Sequence, residues 1–86
     1  MAEERIGRVK HYFSKVGVAV IELEKGTLKV GDSIHISGYT SDFIQKIDSI
    51  EIEGEKVPEV KTGDSFGVKV DEKVRESDDV YKVEEE

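Results

Sequence analysis

Two stretches of this 86-residue chain open alike: Lys29-Val30-Gly31-Asp32-Ser33-Ile34-His35-Ile36 and Lys61-Thr62-Gly63-Asp64-Ser65-Phe66-Gly67-Val68. Each reads as a Gly-Asp turn that launches a strand. Glycine supplies the left-handed backbone of a tight turn, and Asp can hydrogen-bond its own backbone two residues on. Apolar side chains then alternate, at Ile34 and Ile36 in one copy and at Phe66, Val68 and Val70 in the other. By itself the short repeat establishes two similar turn-strand corners.

The rest of the chain agrees. Ile6 to Phe13 is an expected first strand, with Val9, His11 and Phe13 on one face and Arg8, Lys10 and Tyr12 on the other. Phe13 and Phe66 read as core. Val18 to Leu23 is nearly continuously apolar, with Ala19, Ile21 and Leu23 as its core face; such a run implies an outer face covered by a neighbour. Leu28 and Val30 are expected to plug one end of the core. Phe43 to Ile52 reads as the longest strand, with a bulge or sharp bend near Asp48-Ser49. A helix there is disfavoured because β-branched Ile dominates and no cap precedes the run.

Glu53-Gly54-Glu55-Lys56 reads as a hairpin turn, and Pro58 places Val57 to Val60 at a rim or edge. A helical turn could form over Glu72 to Ser77, before a last strand at Val80 to Val83. The expected architecture is all-β, a small closed Greek-key β-barrel of six or seven strands, because closure removes exposed edges. Its expected limits are a flexible N-terminus at 1–5, a single β-barrel domain at 6–83 and an acidic tail at 84–86.

Charge is unevenly placed. Residues 1–46 carry seven Lys/Arg against six Asp/Glu, whereas residues 47–86 carry six against fourteen, for a net charge of −7. An acidic chain is repelled by bulk nucleic acid, so an RNA contact has to use the first half, where Arg5, Arg8, Lys10, His11 and Lys15 cluster. The competing and favoured reading is the solvated side of an edge strand. The chain has no Cys, hence no disulfide framework, and no apolar run long enough to span a membrane. Met1 to Arg5 lacks the regions of a signal peptide, so a cytoplasmic location is expected. Absence of Asn and Cys beside abundant Glu and Lys resembles the composition of proteins from hot environments.

Reaction chemistry is hard to find. Gly26 to Ser33 has the glycine spacing of a phosphate loop, but Asp32 stands where its Lys is needed. His11 and His35 lack a third ligand, so no metal site is expected. Ser33, Ser65, Asp32 and Asp64 are explained as turn residues. The expectations are therefore no enzyme, no cofactor and no nucleotide. Tyr12 and Tyr39 could stack on bases or on a partner's side chains, against the simpler reading of amphipathic rings at a rim.

The segments Glu24 to Ile36, Ser49 to Ile52 and Val60 to Val68 resemble, in order and spacing, the second β-barrel domain of translational GTPases of the elongation factor Tu type. That resemblance implies a barrel that helps to hold the aminoacylated end of transfer RNA, with Glu51 matching the family acid near the terminal adenosine. The family's Thr-Gly is Val20-Ile21 here, followed by Glu22 in place of a basic residue. The same barrel also occurs as an accessory domain elsewhere, including the C-terminal part of some collagenase-like peptidases. The expected function is a non-catalytic module that binds RNA or a ribosomal or translation protein through Arg8, Lys10, Tyr12, Lys15, Tyr39 and Glu51. The alternative is an acidic protein-interaction or adaptor domain with a basic protein partner and no RNA.

Overall fold

The computed structural model describes residues 2–84 as ten β-strands, with no helix among them. They are β1 (Ala2–Phe13), β2 (Val18–Leu23), β3 (Thr27–Lys29), β4 (Ser33–Ser37), β5 (Asp42–Lys46), β6 (Ile50–Ile52), β7 (Glu55–Val57), β8 (Glu59–Lys61), β9 (Ser65–Lys69) and β10 (Asp79–Glu84). Eight form one antiparallel sheet in the order β5-β4-β10-β1-β2-β9-β6-β7, and β3 pairs with β8 in a separate ribbon. The all-β expectation therefore holds, with more strands than the six or seven expected.

The sheet is not closed into a barrel by strand pairing: β5 and β7 end it. Side chains span the gap beside β5 instead. Gln45 Nε2 donates to Lys69 O (2.9 Å), Gln45 Oε1 accepts from Asp71 N–H (2.8 Å), and Ser41 Oγ donates to Lys73 O (3.3 Å). Ser41 and Gln45 are both buried, so each brings its own partner into the interior.

The repeated corners are congruent. In the first, Asp32 N–H donates to Lys29 O (3.0 Å), Gly31 has φ 98°, and Lys29 N–H donates to Asp32 Oδ2 (3.0 Å). In the second the same bonds join Lys61 and Asp64 at 3.0 and 2.9 Å, with Gly63 at φ 97°. These are turns that need a positive φ at their third residue. The Asp side chain reaches three residues back, not two on as expected.

A third corner has the same bonding without the glycine. Asp78 N–H donates to Arg75 O (3.1 Å), Arg75 N–H donates to Asp78 Oδ2 (2.9 Å), and Ser77 has φ 75°. It replaces the helical turn expected over 72–77. Each corner grips one residue of another segment by two backbone bonds. Ile47 bonds Gly31 and Asp32, Leu23 bonds Gly63 and Asp64, and Val9 bonds Ser77 and Asp78, all at 2.8–2.9 Å.

The core follows from these registers. Ala19, Ile21 and Leu23 face inward as expected, with Ile34, Ile36, Phe66, Val68 and Val80 from neighbouring strands. Leu28 closes one end; Val30, expected beside it, is 42% exposed. Phe43 to Ile52 is two strands, broken at residues 47–49 where Ile47 turns in to its corner. The hairpin at Glu53-Gly54 joins β6 to β7, with both residues at positive φ.

The largest departure lies in β1. Its register against β2 shifts between Val9 and His11, leaving Lys10 as the extra residue of a bulge. A bulge moves every later side chain to the opposite face. Tyr12 consequently packs against the core, whereas Phe13, expected inside, is 49% exposed. β1 also begins earlier than Ile6, and residues 2–5 pair with β10. Of the acidic tail, Glu84 ends β10, and residues 85 and 86 lie outside the described residues.

Candidate functional site

The outer face of the sheet opposite the core is arranged in transverse rows. Phe13, Val18 and Lys69 form one; His11, Val20, Gly67 and Glu51 form the next; Arg8, Glu22 and Ser65 form the third. Gly67 is the hollow in the middle row. A Cβ built there meets Val18 Cγ1 at 3.2 Å, so Val18 stands close on one side of the bare backbone. β6 pairs with β9 at Glu51–Gly67 alone among the described residues.

The result is a groove of about 580 Å³ walled by Phe13, Val16, Val18 and Val20, floored by Gly67 and rimmed by Glu51. Its apolar walls are the outward half of the continuous apolar run at Val18 to Ile21. That run was the sequence signal for a covered outer face; the structure shows it half-buried, with Phe13 and the 61% exposed Val16 beside it.

The six residues expected to bind RNA or a partner do not form one surface. Arg8 reaches Glu22 (3.6 Å) and Glu24 (3.4 Å), and Lys10 approaches Glu22 at 3.9 Å. Arg5 donates to Glu24 (2.7 Å) and Asp79 (2.8 Å), which hold its guanidinium above its usual pKa, Glu24 most strongly. Arg5, Arg8 and Lys10 of β1 thus meet Glu22 of β2, Glu24 just beyond it and Asp79 of β10, and their positive potential is largely cancelled. Lys15 is exposed in the β1–β2 turn, and Tyr39 is 100% exposed at the tip of the β4–β5 hairpin. Glu51 is the one of the six that lines the groove.

The two histidines belong to separate clusters. His11 Nδ1 contacts Glu76 (3.1 Å) and its ring packs edge-on to Phe13 at 4.4 Å between centroids. His35 lies between Glu3, at 2.6 Å from Nδ1, and Asp42, at 2.5 Å from Nε2, beside the Tyr81 ring at 5.9 Å. Both carboxylates, Asp42 foremost, raise its pKa above the usual value. No three His, Cys, Asp or Glu side chains gather as a metal site among the described residues.

With this geometry in hand, the likeness to known proteins is specific. The fold is that of the C-terminal domain of a Geobacillus thermoleovorans protein named as a U32 peptidase: TM-score 0.87 at 21% identity, covering 94% of this chain and 93% of that one. In sequence the chain is 41% identical over 78 residues, 90% of its length, to a collagenase of Porphyromonas gingivalis. It is 42% identical over 81 residues, 93% of its length, to an uncharacterised protease of Methanocaldococcus jannaschii. The chain spans about a fifth of the length of these relatives, 22% and 20% respectively. No family model matches it.

These findings overturn three expectations. The relatives are peptidases and a collagenase, not elongation factors, so the translation-factor assignment and the translation-component function do not stand. Nor does the expectation of no enzyme, since the relatives are named collagenase and protease. The physical reason is visible in the corners: Lys-x-Gly-Asp is demanded by the turn and by the residue it grips, so it reports architecture and cannot separate families that share the architecture.

Proposed function

We propose that this chain is a peptidase-associated β-domain, one that serves proteolysis by a protein of the U32 peptidase type. The observation that carries the reading is identity of 41–42% across nine-tenths of the chain to a collagenase and a protease. Agreement with the C-terminal domain of a U32 peptidase over nearly its whole length supports it at the level of fold. We also take the sheet to behave as a closed barrel in solution; the Ser41 and Gln45 bridges across its gap support that view.

A domain exchange tests the function. The segment of the Porphyromonas gingivalis collagenase that matches this chain is replaced by it, and cleavage of gelatin is compared with wild type and with a deletion of the segment. The chimera is expected to retain activity that the deletion loses. A folded chimera no more active than the deletion, or a deletion as active as wild type, overturns the reading.

A further inference from the structure

The apolar groove over Gly67 has an internal counterpart that shows what it lacks. β4 pairs with β5 in the register in which β9 pairs with β2: His35 opposite Ile44 corresponds to Gly67 opposite Val20, and Ser37 opposite Asp42 to Lys69 opposite Val18. In the first half an imidazole fills the central outward position, flanked by carboxylates of Asp42 and Glu3. In the second half the same position is glycine, and the hollow stands open between valines. Beside it lie Glu51 and Glu53, which stand outside the ion pairs formed among the described residues.

We propose that this groove is a subsite for an extended polypeptide substrate, with a large apolar or aromatic side chain seated over Gly67 and a basic side chain reaching Glu51 and Glu53. The proposal rests on the peptidase-associated reading and names the substrate feature such a domain takes. Charge complementarity chooses the occupant in a chain of net charge −7. Glu51 and Glu53 rim the apolar hollow, neither in an ion pair among the described residues, although Lys56 is opposite Glu51 in the ladder and Lys69 is also on the lining. Residues i and i+2 of an extended chain share a face, so the apolar and basic residues belong two positions apart. Glu51 is directly across the ladder from Gly67, within reach of such a pair.

Fluorescence anisotropy of labelled nonapeptides with the whole chain tests this. A peptide centred on Phe-Gly-Arg is expected to bind at least tenfold more tightly than those centred on Ala-Gly-Arg or Phe-Gly-Glu. Gly67→Val, which puts a branched side chain into the hollow against Val18 on a backbone without positive φ, should weaken it at least tenfold. Phe13→Ser, at an exposed wall position, should weaken it several-fold without disturbing the fold. Glu51→Lys should remove the preference for Arg over Glu. Equal affinity for the three peptides, no binding of any, binding untouched by Gly67→Val and Phe13→Ser, or preferential binding of a single-stranded RNA 12-mer each overturns the proposal. The two readings fail separately: a collagenase chimera active with and without Gly67→Val sinks the subsite and leaves the peptidase association standing.

Discussion

Ser77 holds the same place in its turn as Gly63 does in another, at φ 75° against 97°, each followed by an Asp whose carboxylate accepts the amide three residues back. Left-handed backbone costs a residue with a Cβ roughly 1–2 kcal/mol, while glycine loses roughly 0.5–1 kcal/mol more conformational entropy on folding. The difference favours glycine. Ser77→Gly is expected to raise stability by about 0.5–1 kcal/mol, read as a higher urea midpoint at unchanged slope. Gly63→Ser should lower it by a similar amount, and a lower midpoint for Ser77→Gly would contradict the equivalence of the corners.

Gln45 gives the second prediction. Its amide satisfies both Lys69 O and Asp71 N–H from a buried position. Gln45→Leu keeps the volume and leaves both backbone groups without that partner, each at about 1–3 kcal/mol. The expected loss is about 2–4 kcal/mol by urea unfolding. Amide exchange of Asp71 should speed up along with it. A neutral substitution with Asp71 still protected would show that Gln45 does not join β5 to the segment after β9.

These two sites mark what the residues could and could not disclose. The corners at Gly31 and Gly63 were legible because glycine at a positive φ is a local necessity. The corner at Ser77 was hidden, since serine does not demand a positive φ, and its bonds between Arg75 and Asp78 and to Val9 reveal it. Inward Ala19, Ile21 and Leu23 could be read from alternation. Phe13 could not, because one unpaired residue in a strand reverses all later faces and leaves no compositional trace. The groove was half-visible in the outward Val18 and Val20, but its hollow depends on which strand brings Gly67 alongside them.

Acidity acts through His35. With carboxylates on both ring nitrogens the imidazolium is favoured, and its folded pKa lies above the unfolded value near about 6.5. The stabilisation is therefore complete below that unfolded value and is lost as pH rises through the folded one. Urea midpoints measured from pH 5 to 9 should fall on the alkaline side. His35→Gln should flatten that fall, and NMR titration of His35 should place its midpoint above that of an unstructured histidine. A midpoint at or below the unstructured value would break the link between His35, Glu3 and Asp42.

The bulge at Lys10 predicts opposite fates for two phenylalanines that look alike in the sequence. Phe66 is 1% exposed in the centre of the core, so Phe66→Ala should cost about 3–5 kcal/mol. Phe13 stands half in solvent on the outer face, so Phe13→Ala should cost less than about 1 kcal/mol. Deleting Lys10 removes the extra residue and returns β1 to strict alternation after Val9. His11, Tyr12 and Phe13 keep Val20, Ala19 and Val18 opposite them, so Tyr12 stays inward and Phe13 outward, and the deletion should cost no more than about 1 kcal/mol beyond Lys10→Ala. Comparison of the four urea midpoints decides the matter. If Phe13→Ala costs as much as Phe66→Ala, Phe13 belongs to the core after all and the outer groove loses its wall.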